Sequence, residues 1–143
     1  MNATGGRARP ARQEARQEAR QGARQEGCRT RDVLGSVGNK WSLLVVSTLT
    51  SGPLRFTELK RSVEGVSQRM LTVTLRDLER DGILVRTVRS VMPPHVCYEL
   101  TPMGRTLRDA IAPLLEWSRA HLRHIDAARA RFHGRAGRTG GDD

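Results

Sequence analysis

Aromatic side chains are scarce: two Trp, two Phe and one Tyr in 143 residues. So few ring faces argue against a protein that binds single-stranded nucleic acid by stacking successive bases. Two cysteines, Cys28 and Cys97, are too few for a disulfide framework, so an intracellular, reducing location is expected. No apolar run approaches the roughly 20 residues of a membrane span. The N-terminus lacks the apolar core of a secretory signal. A cytoplasmic location without a membrane partner is therefore expected. Neither G-x-x-x-x-G-K-[ST] nor G-x-G-x-x-G occurs, which leaves no phosphate-cradling loop to propose. His121 and His124 are close, but no third metal ligand is evident. No Ser, His and Asp set can be argued from spacing. An enzyme, a metal and a cofactor are accordingly not expected.

Basic charge is abundant. Lys and Arg number 25 against 15 Asp and Glu, for a net charge of +10. Only Lys40 and Lys60 are lysines, a bias that a GC-rich genome explains as well as chemistry does. The excess favours a polyanionic partner, nucleic acid or an acidic membrane surface, without identifying a fold. The chain divides into three zones. Residues 1–27 hold four tandem copies of ARQE or ARQG from Ala11 to Glu26. That period sets Arg over Arg and Glu over Glu, and no residue larger than Ala there is apolar. A disordered arm, with no assigned role, is expected. Residues 28–125 contain most of the aliphatic and aromatic side chains and form the expected folded domain. Residues 126–143, rich in Arg, Gly and Ala, read as a flexible tail.

Within the folded zone the spacing predicts a short helix over Asp32 to Val37. A second carries Trp41, Leu44, Val45, Thr48 and Leu49 and ends at Gly52-Pro53. Leu54-Arg55-Phe56 reads as extended, and Thr57 as the cap of a helix burying Leu59 and Val63. After Gly65-Val66, Ser67 caps an amphipathic helix whose Leu71, Leu75 and Leu78 form one stripe; Asp81-Gly82 ends it. Strands are expected over Ile83 to Val91 and His95 to Thr101, joined by Met92-Pro93-Pro94. Thr101-Pro102 opens a last helix, which Pro113 should bend.

Two short helices across a tight turn, followed by a hairpin, make a winged helix-turn-helix: mainly α with a small β-hairpin. The leucine stripe docks the second helix on its own domain. Ser67, Gln68, Arg69, Thr72 and Arg76 then face outward, where Gln and Arg match adenine and guanine edges in a major groove. Gln68 and Arg69, near the N-terminus, are the base-reading candidates, and Arg76 is a phosphate candidate. Arg86, Arg89 and His95 on the hairpin are candidates for backbone or minor-groove contact. The same features also fit a solvated polar face on an ordinary core helix.

The segments GNKWSLLVVSTL, RFTELKRSVEGVSQRMLTVTLRDLERDGILVR and PPHVCYELTPMGRTL strongly resemble the HxlR-type transcriptional regulators, from Cys28 to about Leu122. The resemblance implies a dimeric winged-helix protein that binds double-stranded DNA. It also implies repression or activation, often in response to small reactive compounds. The family often has an acidic residue where Cys97 stands, so Cys97 departs from the pattern. The repeat arm and the tail lie outside the resemblance.

A homodimer is expected, with helices before Gly38 and after Thr101 serving dimerisation. The last helix would supply Leu107, Ile111, Leu114, Leu115, Trp117 and Leu122. Cys28 is a candidate redox sensor: Arg29 and Arg31 flank it, the positive end of the expected first helix adjoins it, and an N-terminal Cys senses in some family members. The effector, a small molecule or oxidant, is unknown. The alternative is a winged helix that binds polyanions without sequence preference, or that binds proteins.

Overall fold

The computed structural model describes residues 8–139, with side chains from 9 to 137. Residues 1–7 of the expected arm and 140–143 of the expected tail lie outside the described residues.

Helix α1 spans Ala8–Val37. The helix begins far before Asp32, and the described part of the repeat is helical instead of disordered. Ala, Arg, Gln and Glu all rank high in intrinsic helix propensity. Their sum outweighs like-charge stacking at i,i+4, worth only a few tenths of a kcal/mol per pair. The repeat side chains nonetheless stay exposed, and within α1 only Val37 reaches the core.

Helix α2 spans Lys40–Thr48, and Asn39 Oδ1 caps it by accepting from the N–H groups of Trp41 and Ser42. A 3₁₀ turn, Leu49–Ser51, follows, and Gly52 takes φ 130° to end it. Strand β1 is Leu54–Arg55, and α3 is Phe56–Ser62. The expected Thr57 cap is not used. Strand pairing holds Leu54 and Arg55, so the chain turns at Arg55 and the helix starts one residue before Thr57.

Helix α4, Gln68–Arg80, begins where Ser67 Oγ accepts from Met70 N–H at 3.1 Å. It ends in a Schellman turn: Ile83 N–H donates to Leu78 O and Gly82 N–H to Glu79 O. Gly82 has φ 75°, which explains glycine there. Strands β2 (Leu84–Arg89) and β3 (His95–Leu100) are antiparallel, with β1 on the other side of β3, giving the order β1-β3-β2.

Helix α5 spans Pro102–Thr139 with Pro113 inside it. Thr101 Oγ1 caps it by accepting from Gly104 N–H at 3.0 Å, and donates to Gly82 O at 2.6 Å. The tail from Asp126, expected to fray, continues this helix to Thr139. The core joins Val45, Val46 and Leu49 of the α2 segment, Leu59 of α3, Leu71, Leu75 and Leu78 of α4, Leu84 and Leu100 of the sheet, and Ile111 of α5. The result is a mainly helical winged helix-turn-helix with a three-stranded sheet.

Candidate nucleic-acid interface

Burial sorts α4 into two sides. Leu71, Thr74, Leu75 and Leu78 are buried, while Ser67, Gln68, Arg69, Thr72 and Arg76 are exposed. Thr72 Oγ1 donates to Gln68 O at 2.8 Å, which satisfies its hydroxyl on the helix itself. Gln68, Thr72 and Arg76 line one flank of a groove of about 370 Å³ whose far wall is Arg86 and Tyr98 of the sheet. Glu79 also lines it near the C-terminal end of α4. Arg69 is outside that groove, one turn before the exposed Val73.

Charge is unevenly neutralised. Arg80 pairs with Asp77 at 3.4 Å and Asp81 at 3.1 Å, and the Asp81 bond and charge raise its pKa. Among the described residues, Arg69, Arg76, Arg86 and Arg89 make no ion pair. Four cations therefore stand available to an anionic partner around α4 and the wing.

The register divides the wing candidates. Arg86 is opposite Tyr98, on the face toward α4, whereas Arg89 is opposite His95 on the other face. His95 is half-buried, with Nδ1 3.3 Å from Pro93 O and Arg55 Nη2 3.2 Å from each ring nitrogen. The three wing residues are thus not one cluster. Arg55, Val73, Glu79 and Tyr98 are interface candidates that sequence reasoning did not single out. Tyr98 was legible by alternation with Val96 and Leu100, and exposed Val73 by its place between Arg69 and Arg76.

The expected dimer stripe on α5 splits. Ile111 is 4% exposed and belongs to the core, and half-buried Leu107 and Leu115 pack against it. These three residues complete the protomer, because α5 crosses α2 on that flank. Leu114, Trp117 and Leu122 remain more than half exposed, as do Val33 and Leu34 on α1. Trp117 stacks on His121 with ring centroids 4.8 Å apart.

Cys28 is exposed, with Arg31 Nη2 3.9 Å from its Sγ. It lies well inside α1 rather than at the helix start that the sequence suggests. Cys97 is buried on β3. Among the described residues no group of three or more His, Cys, Asp or Glu is arranged to hold a metal ion. No described helix is long and apolar enough to cross a membrane.

Comparison with known proteins agrees with this geometry. Residues 36–126 match the model of the HxlR-like helix-turn-helix family. YtfH of Escherichia coli (strain K12), described as an uncharacterized HTH-type transcriptional regulator, is 40% identical over 104 residues, or 73% of this chain and 82% of YtfH. The solved ytfH structure from Salmonella typhimurium is 40% identical with a TM-score of 0.65, over 71% of this chain and 90% of that one. The redox regulator HypR in its reduced form is 36% identical with a TM-score of 0.62, over 68% of this chain and 97% of HypR. A capped helix with a polar outer flank, a basic wing and these matches together make the chain a member of the HxlR-like helix-turn-helix family of transcriptional regulators, which are not enzymes.

Proposed function

We propose that this regulator reads a specific double-stranded DNA operator as a homodimer and changes its occupancy when a reactive small molecule or oxidant reaches it. One observation carries the DNA reading: Gln68, Thr72 and Arg76 face Arg86 across a single groove, with the unpaired Arg69 beside it. An amide, a methyl and guanidinium groups are what base edges and phosphates require. Ser67 starts the helix, Gln68 and Arg69 read bases, and Arg76 and Arg86 hold backbone. Two-fold pairing supplies the second half-site. Leu114, Trp117 and Leu122 form its apolar surface, and Val33 and Leu34 of α1 are exposed apolar residues on a second helix.

The redox part rests on HypR, described as a redox regulator, and on the exposed Cys28. The test is a fluorescence-anisotropy titration against the DNA upstream of the protein's own gene, with competitor DNA and a salt series. Sequence-dependent binding that survives competitor supports the reading. Binding that ignores sequence and disappears at modest salt replaces it with a generic polyanion binder.

A further inference from the structure

We propose that the back face of the wing, the face turned away from α4, holds a DNA phosphate through Arg55 and Arg89, with His95 positioning Arg55. This inference rests on the DNA-binding reading above. Arg55 is opposite Cys97 in the β1–β3 pairing, and Arg89 is opposite His95 in the β2–β3 pairing. These residues share one sheet face and converge, with Glu58, on a cleft of about 230 Å³. Two permanent cations meet one carboxylate there, and no ion pair forms between them among the described residues.

The geometry of Arg55 identifies what His95 does. Its Nη2 is 3.2 Å from both Nδ1 and Nε2. An atom equally near both nitrogens at that range cannot lie in the ring plane without colliding with Cε1. Nη2 therefore lies over the imidazole face. Nδ1 is meanwhile engaged by Pro93 O at 3.3 Å, which holds the ring. With Nη2 held at the ring, Nε and Nη1 remain for a phosphate, which a guanidinium grips bidentately.

The identity of the phosphate follows from the two faces of the wing. A hairpin in a minor groove turns one face toward each bounding strand. Arg86 faces α4, and so the strand between the major and minor grooves. Arg55 and Arg89 face the opposite way, toward the other strand. The wing thus clamps both backbones instead of touching one.

The experiment measures affinity of the full chain for a mixed-sequence duplex across a salt series, because phosphate contacts are independent of sequence. Each phosphate contact contributes a slope of roughly 0.9 in log K against log salt. Arg55→Ala and Arg89→Ala are each expected to flatten the slope by about that amount. The wild-type advantage over either then shrinks roughly eightfold for each tenfold rise in salt. Arg55→Lys keeps the charge and should keep the slope. His95→Ala should weaken the wild type but leave Arg55→Ala unchanged, since its role passes through Arg55. Circular dichroism excludes misfolding of the exposed Arg55 variants. If Arg76→Ala flattens the slope while Arg55→Ala does not, the back face is not a contact and DNA binding stands. If the wild type shows no salt-dependent binding, both readings fail.

Discussion

Gly104→Ala sets helix propensity against packing, and the structure says which wins. Alanine is favoured over glycine by about 1 kcal/mol in a helix interior. Gly104 is in the first turn of α5, where a methyl group would overlap the carbonyl oxygen of Ile83. It would also lie 3.0 Å from Ile83 C and 3.3 Å from Leu100 Cδ2. Ile83 O is held by Thr101 N–H at 3.0 Å, and its residue closes the end of α4. Backbone so fixed cannot give way, so α5 must lift. Lifting disturbs the Thr101 contacts with Ile83 and Gly82, each worth about 0.5–1.5 kcal/mol net. Overpacking beside buried Ile83 and Leu100 adds about 1–3 kcal/mol. Subtracting the propensity gain leaves a loss of about 1–5 kcal/mol. Urea unfolding followed by circular dichroism, at one protein concentration, measures it through the midpoint. Gly134→Ala is the control: nothing lies within 4 Å of its added methyl, so propensity acts alone and the change should be neutral or stabilising. A Gly104→Ala protein as stable as the wild type would refute the reasoning.

Other consequences are equally direct. Arg69→Ala should reduce discrimination among operator variants by about 1–3 kcal/mol at one base pair, whereas Arg76→Ala should weaken all sequences alike; parallel affinity matrices separate the two. Leu114→Asp should give a monomeric mass by light scattering with the fold intact, while Ile111→Ala should cost about 2–5 kcal/mol in urea unfolding because it empties the protomer core. Cys28→Ser should abolish any loss of operator affinity caused by peroxide, hypochlorite or a quinone; unchanged wild-type affinity despite Cys28 modification seen by mass spectrometry removes the switch.

The recognition helix was legible because several local signals agree. Ser67 caps it, the leucines share a stripe, and Asp81-Gly82 closes it. The first part of α1 was not, because from Ala8 to Arg31 it carries no Val, Leu, Ile or Met from which to read a face. Its helicity comes from summed propensity alone. The α5 stripe could not be divided by sequence either. Ile111 and Leu114 are neighbours on one broad apolar surface, and only the crossing with α2 decides which is buried. The wing contained a signal that was passed over. Arg86 and Arg89 are three apart on one strand, and an odd separation puts side chains on opposite faces. The place of Cys28 shifted for the same reason as α1: the helix starts at Ala8, so Cys28 is inside it and not at its start.

The remaining issue is how a change on α1 reaches α4, and Ser36 is where the two meet. Its hydroxyl donates to Asp81 Oδ2 at 2.7 Å, at the C-cap of α4. Its carbonyl accepts from Asn39 Nδ2 at 2.9 Å and from Ser42 Oγ at 3.0 Å, at the start of α2. One residue thus ties α1 to both helices, and Gly38 beyond it is tight: an added methyl would overlap Leu34 O. Arg80 first, and then the Ser36 hydroxyl, hold the Asp81 carboxyl below its ordinary range. A depressed carboxyl contributes stability above its unfolded value, near pH 4, and loses it as pH falls through the folded value. Asp81 remains partly exposed, so the Ser36 bond is worth about 1 kcal/mol or less. Ser36→Ala should therefore destabilise slightly at neutral pH, and the difference should narrow as pH falls through the folded value of Asp81. The same variant should bind operator nearly as well when reduced, since no DNA-facing group changes. Its response to Cys28 oxidation should be smaller, because α1 then pulls less firmly on the end of α4. Comparing operator affinity before and after oxidation in both proteins tests this, and an undiminished response in Ser36→Ala would mean that the signal does not pass through the Ser36–Asp81 bond.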